Sequence, residues 1–533
     1  MSRRAGAARA VSVVVATISA IAVVAVLGVT AAVGDQWVGR WTGATRAASD
    51  AGTREVPVEP AELVSSCPAP VALPDGADVG DEQFGATPVQ TTSALAAMVA
   101  GAAELPRLTD LDGAQDNTLV DGPDAATAAG TADRVRVLHT QPSTVDPLRS
   151  AAALASITTA GDLRGLAAAS CTAPSTSHWL VGGSSEVGSS ALLAVQNPSS
   201  RPASVALEVF GPSGPVAVGG QAAFTVAPGE QVVTRLDSLA PEQRRLAVHV
   251  RASGARVTTS LQSQGIDGLV PAGTDLVEPG AAPAESFAVS GVVSRGEATD
   301  DDHAATMWLL APESDGTAQV RVFGPEGQVT LRGAEQVALT AGGVVGVPLG
   351  GLEAGTYTVV VDADVPVTGA ARFAVPGELT DDDVVEGTPY DVAWSAGQAI
   401  AAPQEPTSGQ VALPSGADDA TVVLTGVPAE RGADPAGDEL TATVRGLGAD
   451  GTVGDAQEVT VPVGGTVEVP ASAVGATSAV LVDAAAGSAS VAWSVRLTAA
   501  DAARTPGALV ATLDPASTVV APGGVAVRRV DAW

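Results

Sequence analysis

Apolar and polar residues alternate in short runs along most of the chain beyond residue 130, and alternation of period two puts every second side chain on one face of a strand. Three segments carry the same runs in the same order. The first run ends in a glycine-containing turn: Val205–Gly211 before Pro-Ser-Gly, Gln319–Gly324 before Pro-Glu-Gly, and Thr441–Gly446 before Leu-Gly-Ala-Asp-Gly. Each reads as a strand entering a hairpin. A strand, a tight turn and a strand follow at Phe224–Leu236, Val337–Leu349 and Val459–Pro470, with Gly229, Gly342 and Gly464 at the matching turn positions. Glycine reaches a positive φ there at little cost. The third signal is a pair of alternating runs at Leu246–Leu261, Tyr357–Phe373 and Ala479–Leu497.

Two landmarks agree on the spacing: Gly211 to Gly324 and Gly229 to Gly342 are both 113 residues, while Gly324 to Gly446 and Gly342 to Gly464 are both 122. A repeat of about 110 residues with about seven short strands predicts a two-sheet sandwich of immunoglobulin-like type. A weaker copy precedes these, since Ser156–Ala168 is similar to Ser260–Ala272 and Asp133–His139 supplies a strand. Within it, the Ala-rich stretch Ala94–Leu105 suits helix or strand. The polar or Pro-rich junctions near Pro279–Pro283 and Thr380–Pro389 predict units that fold when cut out.

The amino-terminal pattern is different. Val11 to Val33 contains no charge and is long enough to cross a bilayer as a helix, whereas a cleaved secretory segment needs only about 7–15 apolar residues. Arg3, Arg4 and Arg9 precede it and Asp35 follows, so positive-inside bias places the first ten residues in the cytoplasm and the bulk outside. Trp37 and Trp41 fit the interfacial aromatic belt. The fold class expected is therefore all-β, with tandem immunoglobulin-like β-sandwich modules behind one N-terminal transmembrane helix. The expected divisions are a cytoplasmic tail (1–10), a transmembrane anchor (11–33), a juxtamembrane linker (34–66), a divergent β module (67–172), β-sandwich modules (173–282 and 283–388) and a β-sandwich module with a C-terminal extension (389–533). In that extension Leu509–Leu513 and Val525–Val530 are strand-like and complete the last sandwich or cover its edge.

Charge narrows the partners. The 59 acidic residues outnumber 27 basic ones, all of them Arg, and the net charge of -32 excludes nucleic acid, whose phosphates need a cationic surface. Aromatics at 3% leave little for sugar or base stacking. Cys67 and Cys171 are the only cysteines, and in an oxidising exterior compartment an isolated pair reads as a disulfide.

The remaining candidates for chemistry have structural readings. Gly446-Leu-Gly-Ala-Asp-Gly451 matches a dinucleotide fingerprint, but the same position in the other copies is a hairpin turn and no amphipathic helix follows. Asp110, Asp112 and Asp116, with the runs Asp300–Asp302 and Asp381–Asp383, offer hard oxygen ligands; EF-hand spacing is missing, so solvated linkers are preferred to calcium. His139, His178, His249 and His303 stand in no zinc or Gly-x-Ser-x-Gly motif and read as satisfied or surface residues. Trp179, Trp308, Trp394 and Trp493 read as core. No catalytic, cofactor-binding or metal-ligating residue is singled out.

His178–Gly183 (HWLVGG), Ala191–Pro198 (ALLAVQNP), VALEVFG and Asp162–Cys171 (DLRGLAAASC) together resemble an actinobacterial family of exported proteins of unknown function with a single N-terminal anchor. The resemblance covers nearly the whole exterior region and implies location and tandem β architecture, but no active-site residue. The expected function is that of a non-enzymatic, membrane-anchored, extracytoplasmic envelope protein, structural or partner-binding through its sandwiches. Its partners would be the membrane, through the N-terminal helix, and an envelope protein or polymer. The alternative is an envelope enzyme acting on cell-wall polymers, which a convergent cluster of Asp or Glu with His in one concave pocket would favour.

Overall fold

The computed structural model describes residues 53–56, 60–73, 91–114, 116–381, 385–429, 438–519 and 525–528. The apolar run at 11–33 lies outside them, as do Trp37 and Trp41; among the described residues no helix is long and apolar enough to cross a membrane. Two compact units are present, the first including 53–56 and 525–528 and the second lying within 60–521. In the first, Thr53–Val56 pairs antiparallel with Val525–Arg528. That pairing gives Val525–Arg528 a partner outside the last sandwich, and it makes part of the expected linker strand.

The larger unit is all-β and contains four copies of one arrangement of eight strands, here lettered a to h in chain order. One sheet runs a–f–c–d and the other e–b–g–h, all antiparallel. In the first copy these are Leu63–Ser66, Thr91–Ala100, Arg107–Asp110, Asp116–Thr118, Ala126–Thr131, Arg136–Thr140, Arg149–Thr158 and Gly165–Ser170. The second, third and fourth copies repeat the order over 177–277, 284–396 and 407–513, with strand d in two pieces in the second and third. In every copy strand b pairs with e and g, and strand c pairs with d and f. Strand a closes the first sheet beside f, and g lies between b and h in the second. The pairings also move two expected boundaries: Leu63–Ser66 belongs to the first sandwich and Tyr390–Ala396, beyond 388, is strand h of the third.

Gly229, Gly342 and Gly464 have φ of 69°, 72° and 79°, as their turn positions require. Each turn carries the chain from strand d of one sheet to strand e of the other. Strands f and g make the same passage, and in the third copy they fuse into one 22-residue strand, Gly355–Pro376, exposed only at its bend around Asp364 and Pro366. Ala94–Leu105 begins as strand b, not helix. Its run of Ala, Leu and Met lacks alternation because both faces are buried: Leu95, Ala97 and Val99 face the first sandwich's own core, while Ala96 and Met98 pack with residues of the fourth.

That double burial recurs because the four sandwiches touch in a closed cycle. Trp308, Leu310 and Trp394 of the third join the core of the second. Phe323 and Val360 of the third meet Val427 and Ala492 of the fourth, beside a buried hydroxyl row in which Thr425 Oγ1 donates to Thr358 at 2.7 Å and Thr466 Oγ1 donates to the Phe323 carbonyl at 2.8 Å. Gln262 holds both backbone groups of Ala72 between second and first, and Arg149 of the first reaches Asp483 of the fourth at 2.6 Å. The copies therefore share buried faces that their junctions do not suggest. Cut out as residues 283–396, the third sandwich would present Trp308, Leu310, Trp394, Phe323 and Val360 to water, and it is expected to self-associate. Sedimentation of that fragment checks this; a stable monomer at micromolar concentration would show that the intersandwich faces are dispensable.

Candidate functional site

Among the described residues strand h is an edge in every copy, with a partner strand on one side of its backbone only. The four h strands, Gly165–Ser170, Val270–Val277, Tyr390–Ala396 and Leu509–Leu513, meet at the centre of the cycle. They do not pair as a sheet. Carboxylates take the place of the missing strands. Asp391, fully buried, accepts the Leu166 N–H at 3.0 Å and the Val510 N–H at 2.8 Å on Oδ2, and the Val392 N–H at 2.9 Å on Oδ1. One side chain thus ties the first, third and fourth sandwiches. Asp275, 1% exposed, does the same for the first, second and third, accepting from Ala168 at 3.2 Å and Trp394 at 2.7 Å. At the end of the junction Glu278 accepts the Ser170 N–H at 2.6 Å, and Asp514 accepts from Gln398 Nε2 at 2.7 Å.

At the other end Arg164 and Asp501 form a buried ion pair at 2.9 Å between the first and fourth sandwiches. Asp501 also accepts the Glu378 and Thr505 N–H groups. A buried pair of this kind is expensive to break, because either partner left alone is an uncompensated charge. Gly377 is required beside it, for a Cβ there would meet the Arg164 guanidinium.

Burial dominates the acid strengths of this junction. It pushes Asp391 up to about 7 against the opposing N–H groups of Val510 and Leu166 and the charge of Arg164. It pushes Asp514 up to about 7 against its Gln398 bond. Asp275 and Glu278 are raised well above the ordinary range by burial first, and then by the neighbouring acids Asp391 and Asp514 respectively. Burial raises Asp501 too, but the Glu378 and Thr505 N–H groups with Arg164 outweigh it and the group is lowered. The carboxylates converge on backbone N–H groups and leave little open space: the crevice lined by Ser66, Ser170, Gln196, Thr258, Ser260 and Glu278 measures about 10 Å³, room for one water.

Cys67 and Cys171 are bridged, with Cα atoms 4.1 Å apart, joining the end of strand a to the end of strand h in the first sandwich. Asp110 is committed to Arg136 at 2.6 Å and Arg134 at 3.5 Å. Asp112 caps its own turn by accepting the Ala114 N–H; the side chain of Asp116 and residues Asp382 and Asp383 lie outside the described residues. Among the described residues no group of three or more His, Cys, Asp or Glu is placed to hold a metal ion. The glycines of Gly446–Gly451 form a c–d turn, and the Gly451 carbonyl accepts the Asp124 and Ala125 N–H groups of the first sandwich at 3.1 Å. Trp179, Trp308, Trp394 and Trp493 are buried.

The histidines divide. His139 contacts Thr109 and Glu62, His178 Nε2 meets the Val257 carbonyl at 2.7 Å, and His303 stacks on Tyr390 at 3.6 Å. His249 stands between Ser177 and Glu208, 2.9 Å from each.

The junction acids are absent from the sequence reading. Their signal was a lone Asp inside an apolar strand-like run, Thr-Asp-Leu-Val at 274–277 and Tyr-Asp-Val-Ala-Trp at 390–394. Asp is poor in a strand interior, and burying it demands partners.

A family model described as a family of unknown function (DUF5719) matches residues 125–472, well over half of the chain. No curated protein and no solved structure matches it.

Proposed function

For a chain that belongs to this family of unknown function, we propose the role of a non-enzymatic, membrane-anchored envelope scaffold, whose sandwiches, variants of the immunoglobulin type, act outside the cytoplasm as one rigid body. The observation that carries this reading is the h-strand junction, where Asp275 and Asp391 each bind backbone of two neighbouring sandwiches. A string of modules joined only by linkers would transmit no fixed geometry to a partner; four sandwiches locked at a common centre hold their outer faces at fixed mutual angles. Asp275 and Asp391 support a structural role over an enzymatic one, since both oxygens of each are already occupied by main-chain donors. The uncharged run from Val11 to Val33 with Arg3, Arg4 and Arg9 before it supports the anchor and its orientation. The strong negative charge favours a partner that is neutral or cationic.

The experiment is protease added to intact, wall-stripped cells, followed by blotting for the sandwich unit. Degradation with the unit still cell-associated is the expected result. Protection of the unit, or its full release into the medium with a new N-terminus near Val33, would overturn the anchored exterior reading.

A further inference from the structure

We propose that Ser177, His249 and Glu208 make Ser177 a surface nucleophile toward activated acyl and phosphonyl groups. The three side chains come from adjacent strands of one sheet in the second sandwich: Ser177–Val181, Ala247–Ser253 and Ala203–Gly211. His249 lies directly opposite Glu208 on one side, and Ser177 lies diagonally across from it on the other, opposite Arg251. The outer face of the sheet thereby aligns a hydroxyl, an imidazole and a carboxylate.

The polarity of this row follows from its donors and acceptors. Glu208 Oε1 accepts from Arg251 at 2.7 Å, and a carboxylate paired with a guanidinium offers only acceptor oxygens. The bond of 2.9 Å between Glu208 Oε2 and His249 Nδ1 therefore requires the proton on Nδ1. In the neutral ring His249 Nε2 is then the bare acceptor, and the Ser177 hydroxyl 2.9 Å away donates to it. That is the order a nucleophile, its base and the base's orienting group need. A polar ladder across strands would satisfy the same hydrogen bonds, but two further features go beyond it. Trp179 stacks flat on the imidazole, with centroids 3.8 Å apart and planes 6° apart, and so fixes the ring in the plane of both bonds. Ser177 is exposed, so its oxygen is open to a reagent from solvent. Burial lowers the proton affinity of His249, against the opposing effect of Glu208, and this favours the neutral ring that a base must be.

The step balances without a cofactor. The Ser177 O–H proton passes to His249 Nε2 as Oγ attacks the carbonyl carbon of an activated ester. The C–O bond to the leaving alcohol breaks, the alcohol carries off the proton from Nε2, and the acyl group remains on Ser177. Arg251, opposite Ser177 in the register, puts a cation on the same face, held by Glu208. The face is a sheet surface and not a cleft, so acceptable donors are reactive ones that bring their own leaving-group activation.

The test is a biotin-tagged fluorophosphonate on the intact chain, in which Oγ bonds phosphorus and fluoride departs, with the modified peptide mapped by mass spectrometry. Native protein should carry the tag on Ser177, and heat-denatured protein should not. His249→Gln should slow labelling by at least about 100-fold, the scale of a lost general base. Glu208→Gln, the positioning residue, should slow it while leaving circular dichroism and Tm unchanged. As a second variant, Ser177→Cys should react with iodoacetamide faster than Ser177→Cys/His249→Gln. No tag on native Ser177, tagging of many serines alike, or equal rates with and without His249 would overturn the proposal.

Discussion

Asp391→Ala is expected to lower the stability of the chain by about 4 kcal/mol, the sum of two or three buried N–H groups left without acceptors at about 1–3 kcal/mol each. Leu166 and Val510 lose their partner in two other sandwiches at once, so the loss should fall on the whole of 60–521 and not on the third copy alone. Urea unfolding followed by tryptophan fluorescence would show a lowered midpoint in one transition. A cost under about 1 kcal/mol would mean that water replaces the carboxylate at the junction. Asp391→Asn isolates the proton. The folded-state value of about 7 stands above that of an unfolded aspartate, so the folded chain holds a proton that the unfolded chain releases. The resulting stabilisation is complete below about pH 4 and is lost as pH rises through about 7. Asn cannot titrate, so the advantage of the wild type over Asp391→Asn should shrink between those limits. Asp501, whose group is lowered, acts in the opposite direction and loses its contribution only as the solution becomes more acid than the ordinary carboxylate range.

Replacing Cys67 and Cys171 together by Ala is expected to cost about 4 kcal/mol, from the chain entropy that a closed loop of this size withholds from the unfolded state. The bridge spans 104 residues and both sulfurs are buried in the first sandwich. It also pins the segment Pro68–Leu73, through which Ala72 reaches Gln262 of the second sandwich, so the cycle loses a clamp with the bridge. Native, unreduced protein should label with no thiol reagent, and the double variant should melt below the wild type. Equal melting temperatures would show that the clamp and the loop contribute nothing measurable.

Much of the fold was legible along the chain. Alternating runs gave the strands, and Gly229, Gly342 and Gly464 gave turns whose backbone only glycine adopts cheaply. The similarity of Ser156–Ala168 to Ser260–Ala272 marked the g–h hairpins in two copies. The pairing of the cysteines followed from their isolation. Less was legible wherever a strand is covered on both sides. Ala94–Leu105 lost its alternation because its second face meets the fourth sandwich, and sequence periodicity cannot distinguish that from a buried helix. The Ser177–His249–Glu208 row was hidden for a related reason. Its members lie 31 and 41 residues apart along the chain, and only strand order and register bring them together.

The sequence by itself determined the period, the strand-forming runs, the turns and the acidity, because each depends on residues close together along the chain. Tertiary structure alone decided that strand a would pair with f and strand g with b, that Tyr390–Ala396 would close the third sandwich, and that the first copy would pack on the fourth. Those choices are set by which exposed edges and apolar faces can cover one another once formed. An edge strand must have its free N–H groups satisfied, and four such edges meeting at one centre leave no room for a further strand. Asp275 and Asp391 fit there because a carboxylate can accept from two backbones at once, a property that no local pattern around Thr274 or Tyr390 records.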